Sequence, residues 1–308
     1  MPPIRHPLPD GRWHFQHGPI DLVIGAAGEA DAVQAAHEAA WRRFQPLLAE
    51  LVRELPMLRQ PVNDHCSLHG DVARRMWSAC HPHRHSFITP MAAVAGAVAQ
   101  EIAAAYAREG VDRAWVNNGG DIALHLAPGQ ALRVGVVADV ARAAAARPGS
   151  EPGLDGRFEV SAAMPVRGVA TSGWRGRSFS LGIADSVTVL AATAADADAA
   201  ATMIANAVNV DDERITRRPA NSLKDDSDLG DIEVTVGVPP LPPTLVQQAL
   251  HGGARRAREL RACGLIEAAL LMCQGQAMST GDVGTSALLP ARPSAASATA
   301  VIAGSVFA

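Results

Sequence analysis

Two oxygen-bearing side chains four residues apart are the first place in this sequence where chemistry could be built. Asp198 and Thr202 lie in Ala197-Asp198-Ala199-Ala200-Ala201-Thr202, and a spacing of four puts both on one face of a helix. A carboxylate and a hydroxyl are hard donors of the kind Mg2+ takes, with water and substrate phosphate filling its other positions. The alanines between them let another backbone approach. The same residues admit a plainer reading, in which Asp196 or Asp198 starts the helix and Thr202 bonds back to a carbonyl.

Two glycine-bearing segments could hold a ligand. In Asn117-Asn118-Gly119-Gly120-Asp121, glycines after a strand permit positive φ and close approach of a ligand. Asn-Gly is equally the strongest short hairpin signal. In Thr171-Ser172-Gly173, followed by Arg175 and Arg177, small hydroxyls and free amides at a strand end could hold phosphate oxygens. The arginines would add charge-assisted bonds. A surface loop is the alternative.

A histidine-rich stretch holds His65, Cys66, His69, Cys80, His81, His83 and His85. The i, i+4 spacing of His65 and His69 suits a transition metal on a helix. No second pair has the spacing of a closed zinc site, and His81-Pro82-His83 cannot continue a helix. The other reading is a polar loop at a surface or pocket rim.

Composition narrows the function classes. Lys224 is the only lysine, so a Walker A loop is absent. Its polar setting would not desolvate an amine for Schiff-base work. A formal net charge of −4 and 4% aromatics disfavour nucleic acid as a partner. Four cysteines without a C-x-x-C pair suit a reducing compartment. Residues 1–20 show no apolar signal region, and the apolar run of residues 91–105 is too short for a bilayer. The expectation is a soluble cytoplasmic protein with no membrane partner.

These residues need elements to hold them. The pattern predicts a strand at residues 20–24, paired with residues 12–17. A long helix follows over 30–54, with a kink at Pro46, and then a loop with a short helix over 61–86. Thr89 and Pro90 suit the cap and first position of a helix reaching Arg108. Short strands follow at 114–117, 121–126, 132–138, 158–163, 168–171 and 186–192, with an exposed loop over 141–155. A helix is predicted over 195–208, a charged loop over 211–231, a strand over 232–237 and a helix over 243–263. Grouped strands alternating with isolated helices give an α+β fold. Residues 1–278 form one domain and 279–308 a loose Ala/Ser/Pro tail.

Taken in order, these segments resemble the ApbE-like superfamily, the FAD:protein FMN transferases, and more closely a smaller cytoplasmic sister family within it. The resemblance rests on Thr89-Pro90-Met91-Ala92-Ala93-Val94-Ala95-Gly96, Asn117 to Asp121, Thr171-Ser172-Gly173, Ala184-Asp185-Ser186-Val187-Thr188-Val189, and Ala197-Asp198 with Thr202. It implies mixed or antiparallel sheets covered by helices, with a ligand cleft between two halves. It also implies FAD or FMN at Asn117, Asn118, Gly119, Gly120, Asp121, Thr171, Ser172 and Gly173, and Mg2+ at Asp198 and Thr202. Two family features differ here. The lysine before the helix glycine is Ala95, and only residues 174–186 stand where the transferases carry His…Asp-Pro-x-Thr-Gly. The resemblance therefore implies either a Mg2+-dependent FMN transferase or FAD-cleaving enzyme, or a non-catalytic flavin-binding or accessory module. The enzyme would act on a protein acceptor or water, and the module would serve a partner reductase. A third possibility is a metal-dependent hydrolase using the histidine stretch.

Overall fold

The computed structural model describes residues 2–136, 156–281 and 300–303. In chain order the strands are β1 (Ile4–Pro7), β2 (Trp13–His17), β3 (Ile20–Gly28), β4 (Val111–Asn118), β5 (Asp121–Leu126), β6 (Ala131–Val136) and β7 (Gly156–Ser161). They continue with β8 (Gly168–Ser172), β9 (Ser186–Ala191), β10 (Thr216–Pro219), β11 (Glu233–Gly237), β12 (Ala268–Cys273), β13 (Gln276–Thr280) and β14 (Ala300–Ala303). The α-helices are α1 (Ala30–Leu58), α2 (Asp71–Cys80), α3 (Val94–Ala103), α4 (Ala194–Ala207) and α5 (Pro243–Ala262). The fold is α+β, as the pattern predicts.

Nine strands form one sheet in the order β1-β2-β3-β4-β5-β8-β9-β12-β13, every neighbouring pair antiparallel. Alternation along each strand sends successive residues to opposite faces. Phe15, Leu22, Ile24 and Val116 pack with Phe44 and Leu47 of α1 and with Ile102 of α3. Val187 and Val189 join Ile204 of α4 and Leu250 of α5. On the opposite face Trp115, Ile122, Leu124 and Leu190 meet Val134, Phe158 and Val160 of the smaller sheet. Burial on both faces explains why β9 is buried at every residue, its polar Ser186 and Thr188 included.

Several elements depart from the sequence pattern. α1 runs on to Leu58 through Pro46 and Pro56, where the pattern ends it at Glu54. Each proline removes one helical hydrogen bond, and burial of Ala36, Ala40, Phe44, Leu47 and Leu51 along one face offsets the loss. The helix predicted from Thr89 to Arg108 is three pieces: a 3-10 turn over Pro90–Ala93, α3, and a second 3-10 turn over Ala104–Tyr106. Thr89 makes no side-chain cap; its hydroxyl donates instead to Asp228 Oδ2. The charged loop over 211–231 contains β10, which pairs with β11.

The hairpin of β12 and β13 is a further departure, since the pattern places no element there. Ala268–Cys273 carries no polar alternation because it is almost wholly buried, so period 2 is invisible in it. Its turn holds Gln274 and Gly275 at positive φ, 44° and 79°. Ala300–Ala303, within the expected tail, pairs parallel with β6. Ser279 and Thr280, also within the expected tail, belong to β13, paired with β12; the loop expected over 141–155 and residues 282–299 and 304–308 lie outside the described residues.

The histidine stretch is a loop that leads into α2 and a 3-10 turn over His81–His83. His65 and His69 are exposed and precede α2, so their i, i+4 spacing is not realised on a helix. His83 is buried, its Nδ1 has no hydrogen-bond partner among the described residues, and burial followed by the nearby Arg256 charge lowers its pKa to about 4. A histidine kept neutral in the fold costs stability in acid. Above pH 6.5 it is neutral folded and unfolded; as pH falls from there only the unfolded chain takes the proton, until the folded chain joins it near pH 4. The gap corresponds to about 3 kcal/mol. Urea unfolding at pH 7 and pH 4.5 should show wild type losing more stability than His83→Gln. Equal losses would remove His83 as the cause.

Candidate functional site

The turn between β4 and β5 organises the site. Gly119 and Gly120 both have positive φ, 65° and 115°, the requirement of a tight two-residue hairpin that side chains with a Cβ resist. The register then pairs Asn118 with Asp121 and Asn117 with Ile122. Asn118 and Asp121 thus share the helix-covered face, and Asn117 falls on the other. Asn117 Oδ1 accepts from the Gly120 amide at 2.7 Å and so fixes the turn. The hairpin and ligand-cradle readings of this segment remain compatible.

Asn118 Nδ2 donates to the Ala95 carbonyl at 3.1 Å, tying the turn to the first residues of α3. Asp198 reaches the same place from α4. Its Oδ2 accepts from the Gly96 amide at 2.9 Å, and the Ala95 amide also donates to the carboxylate. Asp198 therefore does not start its own helix. Thr193 does that, accepting from the Asp196 amide at 3.2 Å and donating to Asp196 Oδ2 at 2.7 Å. Asp198 instead meets the unsatisfied amides at the beginning of α3, where the helix dipole favours negative charge.

Close approach of α3 and α4 makes this possible. A Cβ on Gly96 would stand 2.2 Å from the Ala194 carbonyl oxygen, and one on Gly168 2.1 Å from the Thr193 backbone. The alanines of α4, buried at 194, 195, 197, 199, 200, 201 and 205, leave room for both. Thr202 follows Asp198 by one turn and is partly buried.

Asp121 is buried, and its Oδ1 accepts from the Thr171 amide at 3.1 Å. The Thr171 hydroxyl pairs with that of Thr188 at 3.0 Å. Burial pushes the Asp121 carboxyl up to about 7, against the opposing pull of the Thr171 amide and the Arg177 charge. Asp198 is raised well above the usual carboxylate range, first by loss of hydration and then by the negative charge of Asp121. The Gly96 and Ala95 amides pull it the other way. Two acidic groups with buried carboxyls, Asp198 hindered in its ionisation by the charge of Asp121, thus lie beneath the turn.

Exposed Arg177 lies against that turn, since a Cβ on Gly119 would stand 2.9 Å from its Nη1. Gly173 packs on the Asp185 carbonyl, where a Cβ would stand at 2.4 Å. The structure brings Asn118, Gly119, Gly120, Asp121, Thr171 and Asp198 together. Ser172 ends β8 and Gly173 follows it, and Asn117 fixes the turn from the other face. Cys80, read from the sequence with the histidine-rich stretch, is buried within reach of the Asp198 charge. Burial pushes its thiol far up, and the negative charges of Asp198 and Asp196 add to this. The amides of Ala95 and Gly96 carry no side-chain signal a sequence could show. A groove of about 530 Å3, lined by residues including Arg258, Arg261, Ser279 and Thr280, lies at the other end of β12 and gathers none of the predicted residues.

Among the described residues no three His, Cys, Asp or Glu side chains converge as a metal cage. None of the helices there is long and apolar enough to cross a membrane.

A family model described as "AbpE bacteria" matches residues 5–279, and the chain belongs to that family, within the ApbE-like superfamily. Relatives include a UPF0280 protein of Methanosphaerula palustris, 34% identical over 201 residues, which cover 64% of this chain and 77% of that one. Another, from Methanothrix thermoacetophila, is 38% identical over 141 residues, covering 46% and 53% respectively, so the chain spans about half of that relative. A solved structure of an ApbE protein from Thermotoga maritima aligns over 81% of this chain and 74% of its own, at 13% identity and a TM-score of 0.34.

Proposed function

We propose that the space around Asp121 and Asp198 binds a flavin nucleotide, FAD or FMN, together with Mg2+ on Asp198 and Thr202. In this reading the protein cleaves the FAD pyrophosphate, passing FMN to water or to an acceptor hydroxyl on a protein. The observation that carries it is a pair of buried carboxyl groups beneath a glycine turn, Asp198 held at the Gly96 amide and Asp121 at the Thr171 amide.

The donor set suits such a cation. Carboxylates at Asp198 and Asp121 and the Thr202 hydroxyl are all hard oxygens, and Asp198 has lone pairs beyond those its amide bonds use. One or two carboxylates with the rest left to water and phosphate is the habit of Mg2+, and no larger cage is required. When bound, the metal would neutralise charge on the leaving phosphate.

The chain's own groups would do the rest. Asn118 and Asp121 would orient the nucleotide, Asn118 from a position fixed by the Ala95 carbonyl. Thr171, Ser172 and Gly173 would line the phosphate side. Arg177, against Gly119, would add charge-assisted bonds to phosphate oxygens.

A second reading has its own observation. Ala95 stands where the transferases carry lysine, and its backbone is engaged at both ends, by Asp198 and by Asn118. A methyl group there supplies no amine, which favours a non-catalytic flavin-binding or accessory module for a partner reductase. Incubation of the purified protein with FAD and Mg2+ separates the two. Equimolar AMP and FMN is the expected result. A yellow protein that leaves FAD intact supports the module, and neither flavin retention nor AMP removes both readings.

A further inference from the structure

On the opposite face of the large sheet from Asp198, toward its β1 edge, two histidines stand directly across from one another. His6 of β1 and His14 of β2 are register partners. His6 Nε2 and His14 Nδ1 lie 3.3 Å apart, with ring centroids at 4.6 Å and planes at 66°. His14 is 7% exposed, whereas His6 is open to solvent. On the far side of the His14 ring, Nε2 meets Asp21 Oδ1 of β3 at 2.8 Å.

A carboxylate can only accept, so the Asp21 contact puts the His14 proton on Nε2. In the neutral ring, Nδ1, on the His6 side, then carries the lone pair that a metal can take. Two nitrogens each about 2.0–2.1 Å from a tetrahedral metal stand roughly 3.3–3.4 Å apart, and the observed separation matches. A carboxylate behind a metal-bound imidazole is also the usual outer partner that fixes tautomer and ring direction. We propose that His6 and His14 form an open divalent transition-metal site of the zinc type, oriented by Asp21 and completed by water on the His6 side. Imidazole donors select zinc, copper or nickel over Mg2+, so this site is chemically distinct from the oxygen donors at Asp198. It does not depend on the flavin reading.

The alternative is an ordinary hydrogen bond between two rings, and zinc titration of the full chain by calorimetry distinguishes them. One Zn2+ per chain is expected, undiminished by excess Mg2+. His6→Ala should abolish this site, and His6 is exposed enough that the fold survives its loss. Asp21→Asn should weaken binding about 10–100-fold, as loss of an outer partner does. A His65→Ala/His69→Ala chain should bind as wild type does. In thermal melts Zn2+ should raise the midpoint of wild type and leave that of His6→Ala unmoved. Absence of saturable binding at millimolar zinc, or binding unchanged in folded His6→Ala, would overturn the site.

Discussion

Asp198→Asn is expected to lower Mg2+ affinity by more than the roughly 10–100-fold that an outer partner of a metal site costs, while the protein stays folded. Asparagine keeps an oxygen for the Gly96 amide, now met by Asp198 Oδ2 at 2.9 Å. It also removes the repulsion between Asp198 and Asp121. What it removes from a bound cation is a full charge at a site whose other described carboxylate is Asp121. Asp198→Ala behaves differently: the amides at the start of α3 lose their acceptor as well, at a cost of about 1–2 kcal/mol in stability. Thr202→Val keeps the shape, removes one oxygen, and should weaken Mg2+ less than Asp198→Asn. Calorimetric titration with Mg2+, beside thermal melts of all three variants, reads both quantities. Wild-type Mg2+ affinity in Asp198→Asn would leave Asp198 as a partner for helix amides only.

Gly96→Ala should cost about 3 kcal/mol, the upper part of the usual range for overpacking. In an open helix the same change would stabilise by about 1 kcal/mol, because glycine has the greater backbone freedom to lose. Here the new Cβ would lie 2.2 Å from the Ala194 carbonyl oxygen and 2.6 Å from its carbon. These are backbone atoms of α4 and cannot rotate aside. Relief requires α3 to move away from α4, which lengthens the Gly96–Asp198 bond and carries Ala95 away from Asn118. Stability and ligand binding should therefore fall together. Urea unfolding gives the first and flavin retention on a desalting column the second. A Gly96→Ala protein as stable as wild type would show that the two helices can separate at little cost.

Much of this arrangement is legible in residue order alone. The Asn-Asn-Gly-Gly-Asp segment announces its hairpin because glycine tolerates positive φ, and Gly119 and Gly120 adopt it. The alternation of residues 20–24 gives β3 and its pairing with β2. The alanine run after Thr193 gives α4, with Asp198 and Thr202 one turn apart on it. Motif order gives the superfamily. These are local properties, set by φ preferences and by the periods of strand and helix.

Tertiary structure decides the partners. Asp198 meets an amide 102 residues earlier in the chain, and the Thr171 amide meets Asp121 across 50 residues. Neither contact has a local signature, since a backbone amide looks the same in every residue. The β4–β5 register sends Asn118 to the helices and its neighbour Asn117 to the opposite face, although the two are identical in type. β12 escapes the sequence because a strand buried on both faces loses the polar alternation that marks strands. Asp121 is hard to ionise for the same kind of reason: a carboxylate's proton affinity follows from the water it loses and the charges brought beside it, and packing alone supplies both.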